Sequence, residues 1–419
     1  MDILTKPWPD PALPSLPAGL PPLKLAGVPD SLPIASDGTV QDLRMYVCGI
    51  TPYDATHLGH AATYLTFDLI NRYVRASGAN VAFVENITDI DEPLLERATR
   101  DSKDWRTLAQ DETNLFMEDM AALRIFSPDW YVPATQVMDL VDQAITAMQE
   151  NGHVYELEGD LYFRVGNFLD DLPISREEAT AIFAERGGDP YRAGKEHPLD
   201  TVLWIANRNN EPGWDSSHGF GRPGWHIECA VISLRYLLGT DFLDGDRSRT
   251  SLIDIQGGGT DLIFPHHFMS AIQVKAITGQ RFSRGYVHSG MIGLNGEKMS
   301  KSKGNLVFVS KLLAAGVDPT VIRYALISDH YASDRMWTDE KLAKASDAVG
   351  RIRSALSRSE VAPTTTVINE MLTAISNDLD APSALKVLDL WVANTESGTT
   401  GGSSGEMSRF LDAILGLAF

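Results

Sequence analysis

Met45-Tyr46-Val47-Cys48-Gly49-Ile50-Thr51-Pro52-Tyr53-Asp54-Ala55-Thr56-His57-Leu58-Gly59-His60 is the stretch on which the fold of this chain turns. Leu43–Val47 is a short apolar run with the character of a strand. Gly49 and Pro52 end it, and a helical pattern begins after His57 and carries Tyr64, Leu65, Phe67, Leu69 and Ile70. Strand, tight turn and helix start form the phosphate-facing corner of a nucleotide-binding α/β unit, because the first N–H groups of a helix favour anions. His57 and His60 are suited to donate hydrogen bonds to a polyphosphate, and Gly59 predicts close approach of a nucleotide to the backbone. Taken alone, the four residues His57–His60 are equally two surface histidines at a helix start.

Outward from this corner, Asn80–Asp89 is a second strand ending in polar residues. If it lies parallel to the first, Asn86, Ile87 and Thr88 face the same crevice as Cys48, where open α/β sheets bind ligands. Asp104–Phe126 and Leu140–Met148 are helical. Val154–Glu158 and Leu161–Val165 form a hairpin about Gly159-Asp160. Glu185-Arg186-Gly187-Gly188-Asp189-Pro190 is a polar glycine turn within an insertion. Leu252–Gln256 is a buried strand that runs into Gly257-Gly258-Gly259, which predicts a loop where a ligand comes close, with Asp261 as an acceptor. After Asp318-Pro319 the pattern is helical to the end. Residues 1–40 carry nine of the 22 prolines and predict an extended arm over the body.

The 419 residues carry a formal net charge of −20, and the last 82 are acidic as well. An acidic surface without a basic patch argues against a nucleic-acid partner. No run of 18 apolar residues and no signal pattern occur, so a cytoplasmic protein without a membrane partner is expected. The two cysteines, Cys48 and Cys229, are then not expected to form a disulfide. With His266 they offer a zinc-type thiolate and imidazole set, although on spacing alone two isolated cysteines are more often simply buried than ligands.

A second motif, Gly296-Glu297-Lys298-Met299-Ser300-Lys301-Ser302-Lys303-Gly304-Asn305, follows far downstream. With His57–His60 it resembles the paired signatures of class I aminoacyl-tRNA synthetases. Tyr46–Gly49, Pro223–Cys229 and Asp254–His267 resemble cysteinyl-tRNA synthetases. The departure at Ile50–Asp54, the short acidic C-terminal region and the Glu185–Pro190 motif together resemble the mycothiol-pathway ligases, which join cysteine to glucosaminyl-inositol.

This resemblance implies an α/β fold: a Rossmann-type parallel-sheet catalytic domain with an inserted subdomain and a C-terminal all-α bundle. The implied segments are the arm 1–40, catalytic halves at 41–130 and 220–300, an insert at 131–219, a Lys-Met-Ser-Lys-Ser loop and stem-contact region at 301–340, and the bundle at 341–419. It implies an ATP-dependent ligase acting through a cysteinyl-adenylate, a monomer with L-cysteine, ATP with Mg2+, and glucosaminyl-inositol as substrates. His57, His60, Lys298 and Lys301 would handle the phosphates. Cys48, Gly49, Ile50, Thr51, Thr63, Asn86, Ile87, Thr88, Trp225, Gly259, Thr260, Asp261 and Ile292 would surround the adenylate. Glu185, Arg186, Gly187, Gly188, Asp189 and Pro190 would help receive the amino sugar. Cys48, Cys229 and His266 would hold Zn2+. The family's fourth ligand, a glutamate, is Ser270 here, which leaves a position for the substrate thiolate. A cysteinyl-tRNA synthetase and an inactive paralogue are the competing readings.

Overall fold

The structure, a computed structural model, describes the chain except for residues 17, 18, 33–41, 209, 210, 295 and 300–303 and the side chain of Lys298. β1 (Leu43–Ile50) is followed by a turn and α1 (Leu58–Ala76), then by β2 (Val81–Ile87), which lies parallel to β1 in the register Leu43↔Val81 to Val47↔Glu85. α1 begins where the chain dictates: His57 is its N-cap and accepts from the N–H of Gly59. α2 (Glu92–Arg100) and α3 (Trp105–Ala122) are capped by Asp91 and Asp104. β3 (Trp130–Pro133) then joins the main sheet parallel to β2, so it straddles the boundary drawn at 130/131.

The insertion begins with α4 (Met138–Glu150) and builds its own antiparallel sheet. β4 (Val154–Leu157) and β5 (Asp160–Phe163) pair about Glu158-Gly159, α5 (Arg176–Glu185) follows, and β6 (Thr201–Ala206) and β7 (Gly221–Pro223) complete the order β4-β5-β6-β7. β7 therefore belongs to the inserted sheet although it lies beyond residue 219.

The chain re-enters the main unit with α6 (Trp225–Leu238) and β8 (Ser251–Gly259), which pairs parallel to β1. The three glycines expected in a loop are the last residues of β8 itself. α7 (Phe268–Thr278) and β9 (Arg281–Ser289) close the main sheet in the order β3-β2-β1-β8-β9. The order reverses around β1, whose C-terminal end is therefore the switch point of the crevice. β10 (Ile292–Leu294), β11 (Glu297–Lys298) and, past α8 (Val309–Ala314) and α9 (Pro319–Ile327), β12 (Arg335–Trp337) form a small separate sheet. β12 interrupts the all-helical run expected after Pro319. α10 (Asp339–Leu356), α11 (Thr365–Ser376), α12 (Ala381–Glu396) and α13 (Ser404–Phe410) complete the C-terminal bundle.

Two apolar cores flank the main sheet. Met45 and Val47 of β1 face the α1 side, while Tyr46 and Cys48 face α6 and α7. On the α1 side a charged cluster is fully buried. Arg72 donates to Asp68 at 2.7 Å, Arg323 of α9 donates to the same carboxylate, and the other Asp68 oxygen accepts from the N–H of Phe126 at 2.8 Å. Arg323 also donates to the carbonyls of Leu415 and Leu123, and Arg72 to that of Asp412. The arm packs Trp8 against Phe116 and Tyr131. Leu4 pairs with Tyr131 of β3, and the carbonyl of Gly27 accepts from the N–H of Tyr286 of β9.

Candidate active site

The turn after β1 brings His57 and His60 together at the start of α1, their rings stacked with centroids 3.9 Å apart. Nδ1 of His57 accepts from Gly59 N–H at 3.1 Å, which fixes the proton of the neutral ring on Nε2. A Cβ on Gly59 would lie 2.8 Å from Cε1 of His57. The glycine thus makes room for the His57 imidazole. The segment after the second motif is stitched to this turn: Leu58 N–H donates to Val307, Val309 N–H to the carbonyl of Thr56, and Phe308 bridges His57. Lys301 lies outside the described residues, as does the side chain of Lys298, whose backbone ends β11.

Cys48 near the end of β1, Cys229 on the first turns of α6 and His266 in the π-turn Ile263–His267 come together from three separate elements. Their ligand atoms all lie within 4.8 Å of one another, and all three residues are buried. Nε2 of His266 is 3.2 Å from the Cys229 sulfur. Trp225 stacks on the His266 ring at 4.0 Å, and Nδ1 of His226 lies 2.9 Å from Nδ1 of His266. Burial, then His226 and His267, hold the His266 imidazole well below its usual range, so it is neutral and its lone pair is available. Burial pushes the Cys48 thiol up, and Cys229 beside it adds to this; a bound dication would reverse that by stabilising the thiolate. A compact, dry set of two sulfurs and one neutral imidazole fits a thiophilic metal such as zinc. Ser270, in α7, donates its hydroxyl to the carbonyls of His266 and His226, at 2.8 and 3.3 Å.

Sequence reasoning missed the second imidazole tier. His267 lies 3.3 Å from the Cys48 sulfur, and its other ring nitrogen is 2.8 Å from His288 of β9. Burial lowers His226 to about 3 and His288 to about 4, so this tier is uncharged near neutrality. The doublet His266-His267 was the available signal; His226 and His288 join it only through the fold. The glycines of β8 serve this packing. A Cβ on Gly258 would lie 2.8 Å from Leu262 and 3.1 Å from the His267 ring, and one on Gly259 would lie 2.4 Å from the Asp261 carboxylate.

The remaining expected contacts divide. Asn86 is committed within the fold: its carbonyl oxygen accepts from Gly49 N–H at 2.8 Å and Tyr46 OH at 2.9 Å, and its amide donates to Thr88. Thr63 is back-bonded to Gly59. Ile87 and Thr88 are buried, Ile292 is buried in β10, and Thr51, Trp225, Gly259, Thr260 and Asp261 retain exposed surface at the crevice. Of the Glu185–Pro190 motif, Arg186 donates to the carbonyls of Asp261 and Phe264, on the turn that carries His266. Asp189 is engaged with Tyr162 and Lys195. Beside Cys229, the buried Glu228 carboxyl is pushed up by desolvation, then by Cys229, Asp91 and Asp89. Asp91 itself is raised to about 6 by burial.

Residues 35–347 match the family described as tRNA synthetases class I (C) catalytic domain. The chain is 48% identical to the L-cysteine:1D-myo-inositol 2-amino-2-deoxy-alpha-D-glucopyranoside ligase of Gordonia bronchialis, over 98% of both chains. It is 47% identical to the Streptomyces coelicolor protein of that name, over 98% of this chain and 99% of the relative. The fold is similar to that of Mycobacterium tuberculosis methionyl-tRNA synthetase solved with methionyl-adenylate, with a TM-score of 0.65, 18% identity, and coverage of 90% of this chain and 88% of that one. The chain belongs to the class I tRNA synthetase (C) catalytic-domain family and, within it, to the group of L-cysteine:1D-myo-inositol 2-amino-2-deoxy-alpha-D-glucopyranoside ligases.

Proposed function

We propose that this protein joins L-cysteine to the amine of glucosaminyl-inositol at the expense of ATP, in mycothiol biosynthesis. The observation that carries this reading is the buried Cys48–Cys229–His266 set built on β1, the strand whose following turn carries the stacked His57 and His60, in a chain similar over 98% of its length to a ligase of that name. In the first step a carboxylate oxygen of cysteine attacks the α-phosphorus of ATP, and the bond to pyrophosphate breaks. In the second the acceptor nitrogen attacks the acyl carbon, the bond to AMP breaks, and the nitrogen loses a proton. Both steps rest on positioning and charge stabilisation.

His57, donating from Nε2, and His60 would hold the triphosphate, with Lys298 and Lys301 neutralising the leaving pyrophosphate. Cys48–Thr51, Thr63, Asn86–Thr88, Trp225, Gly259–Asp261 and Ile292 would line the adenylate site, Asn86 and Thr63 by shaping its backbone. Cys48, Cys229 and His266 would hold zinc, which would bind the substrate sulfur as thiolate and so select against serine. Glu185–Pro190 would contribute to acceptor binding through Arg186, which ties this motif to the Asp261–Phe264 turn. ATP is expected to bring Mg2+. This reading carries with it a cytoplasmic monomer working on small molecules, without nucleic acid; no helix among the described residues is long and apolar enough to cross a membrane.

The test is AMP release from ATP and cysteine, with glucosaminyl-inositol or with cysteine tRNA as acceptor. Stimulation by the amino sugar alone is expected. Stimulation by tRNA alone would make the protein a cysteinyl-tRNA synthetase.

A further inference from the structure

The inserted unit reaches the sulfur site through one side chain. Arg186 follows the last residue of α5, and its Nη1 donates to the carbonyls of both Asp261 and Phe264, in the turn that leads into His266. Resting on the zinc and cysteine reading proposed above, we infer that Arg186 is a positioning residue of that site: it fixes the backbone from which His266 projects, and with it the place of the substrate sulfur.

Three observations support the assignment. The first is need. Phe264, at φ −139° and ψ 136°, breaks the helical path between Thr260 and His267. Pro265 has no N–H to return to the carbonyl of Asp261 four residues earlier. The turn therefore presents carbonyls that its own helical path cannot use. Among the described residues, no side chain other than Arg186 donates to the backbone of residues 261–264.

The second is delivery. The N–H of Arg186 closes α5 on the carbonyls of Ile182 and Phe183, and Gly187 then turns left-handed at φ +85°. Gly188 N–H returns to the Phe183 carbonyl at 2.8 Å, and a Cβ on Gly188 would lie 2.6 Å from the Phe183 ring. Both glycines are thus needed for the chain to reverse directly behind Arg186. Asp189 then accepts from the hydroxyl of Tyr162 in β5 and from Lys195 at 2.8 Å, which pins the motif to the inserted sheet. A polar glycine turn in the sequence becomes a mount for one guanidinium.

The third is what holds His266 elsewhere. Trp225 and His226, at the start of α6, meet its ring, and Ser270 of α7 donates to its carbonyl at 2.8 Å. Those contacts hold the ligand from the α6 and α7 side. Asp261 and Ile263, in the segment before it, are exposed, and the hold on that segment comes from α5: Arg186 outside, and Phe183 in one buried core with Phe264.

The test uses the full-length protein. Arg186→Ala removes an exposed side chain, and its metal-stripped form should unfold at the temperature of metal-stripped wild type. Zinc affinity, read by competition with a chelator, should fall about tenfold, as for other partners that orient a metal ligand. In cysteine-dependent ATP–pyrophosphate exchange, KM for cysteine should rise about tenfold while KM for ATP stays within about twofold of wild type. Arg176→Ala, at the other end of α5, should leave zinc affinity and both KM values unchanged. Unmoved zinc affinity in Arg186→Ala would overturn the assignment, as would an equal rise in both KM values or a rise confined to the KM for glucosaminyl-inositol. Wild-type protein that takes up no zinc would instead overturn the ligand set itself, and the role of Arg186 with it.

Discussion

Two polar clusters lie buried on opposite faces of β1, and they are built in opposite ways. On the α1 side, Asp68, Arg72 and Arg323 satisfy one another and five backbone groups: the N–H of Phe126 and the carbonyls of Leu123, Arg124, Asp412 and Leu415. On the α6 side the Cys48–Cys229–His266 set is surrounded by groups left open. Among the described residues, one oxygen of Glu228 and both polar atoms of the fully buried Gln256 carboxamide have no hydrogen-bond partner. Burial of polar atoms costs free energy unless a partner is supplied. The first cluster meets that cost within the fold and ties α1, α9 and the C-terminus together. The second leaves it to be met by something that binds.

The contrast can be broken by substitution. The largest effect should come from Asp68→Ala, which leaves two buried guanidinium groups without their carboxylate; about 3–5 kcal/mol of stability should be lost, read by denaturant unfolding. A loss below about 1 kcal/mol would show that the cluster is not the internally closed unit described. Cys229→Ala should do the reverse. Metal analysis should find it unable to retain zinc, and adenylation should fall by more than the roughly 10–100-fold typical of outer-shell substitutions. Its metal-stripped form should unfold close to metal-stripped wild type. Full zinc occupancy in Cys229→Ala would refute the ligand assignment.

Asp91→Asn keeps an N-cap for α2 while removing a carboxyl held near 6. If Asp91 takes the proton of the acceptor amine, the ligation step in wild type should fall as pH drops through about 6, where the carboxylate is protonated. The variant should lose that limb and about tenfold in rate, with pyrophosphate exchange unchanged. The sign for stability is the opposite. A raised carboxyl binds its proton more tightly in the folded chain, so its contribution is most favourable at acid pH and declines as pH rises from about 4 to about 6. A ligation profile identical in wild type and variant would remove Asp91 from the chemistry. The smallest effect belongs to Ser270→Ala, which should cost about 1 kcal/mol or less and leave zinc affinity unchanged. A fall in zinc affinity would make Ser270 a ligand and end the three-ligand description.

The same contrast explains what the sequence disclosed. The strand and turn before His57, the capped starts of α1 and α3, and the hairpin of β4 and β5 are written in local signals, namely apolar runs, glycine and proline stops, and aspartate caps. Cys48, Cys229 and His266 are separated by long stretches of chain, and only their setting within family motifs pointed to a shared site. Nothing local distinguishes His226 or His288, which reach the site through a helix start and an edge strand. The glycines after Gln256 carried a signal of close approach, and the side chains of Phe67, Leu262, His267 and Asp261 stand where their Cβ atoms would be. Asp68 and Arg72 did leave a trace: an opposite charge pair four residues apart inside the apolar face of α1, where a solvated pair would not sit.

The arm has one more consequence. β3 and β9 are the two outer strands of the main sheet, and the arm pairs with both, Leu4 against Tyr131 at one margin and Gly27 against Tyr286 at the other. An open strand margin is a template on which a second chain can add. A few proline-rich residues thus work as a binding along both selvedges of the sheet. A protein trimmed of them should lose solubility before it loses its fold, with copies joining margin to margin.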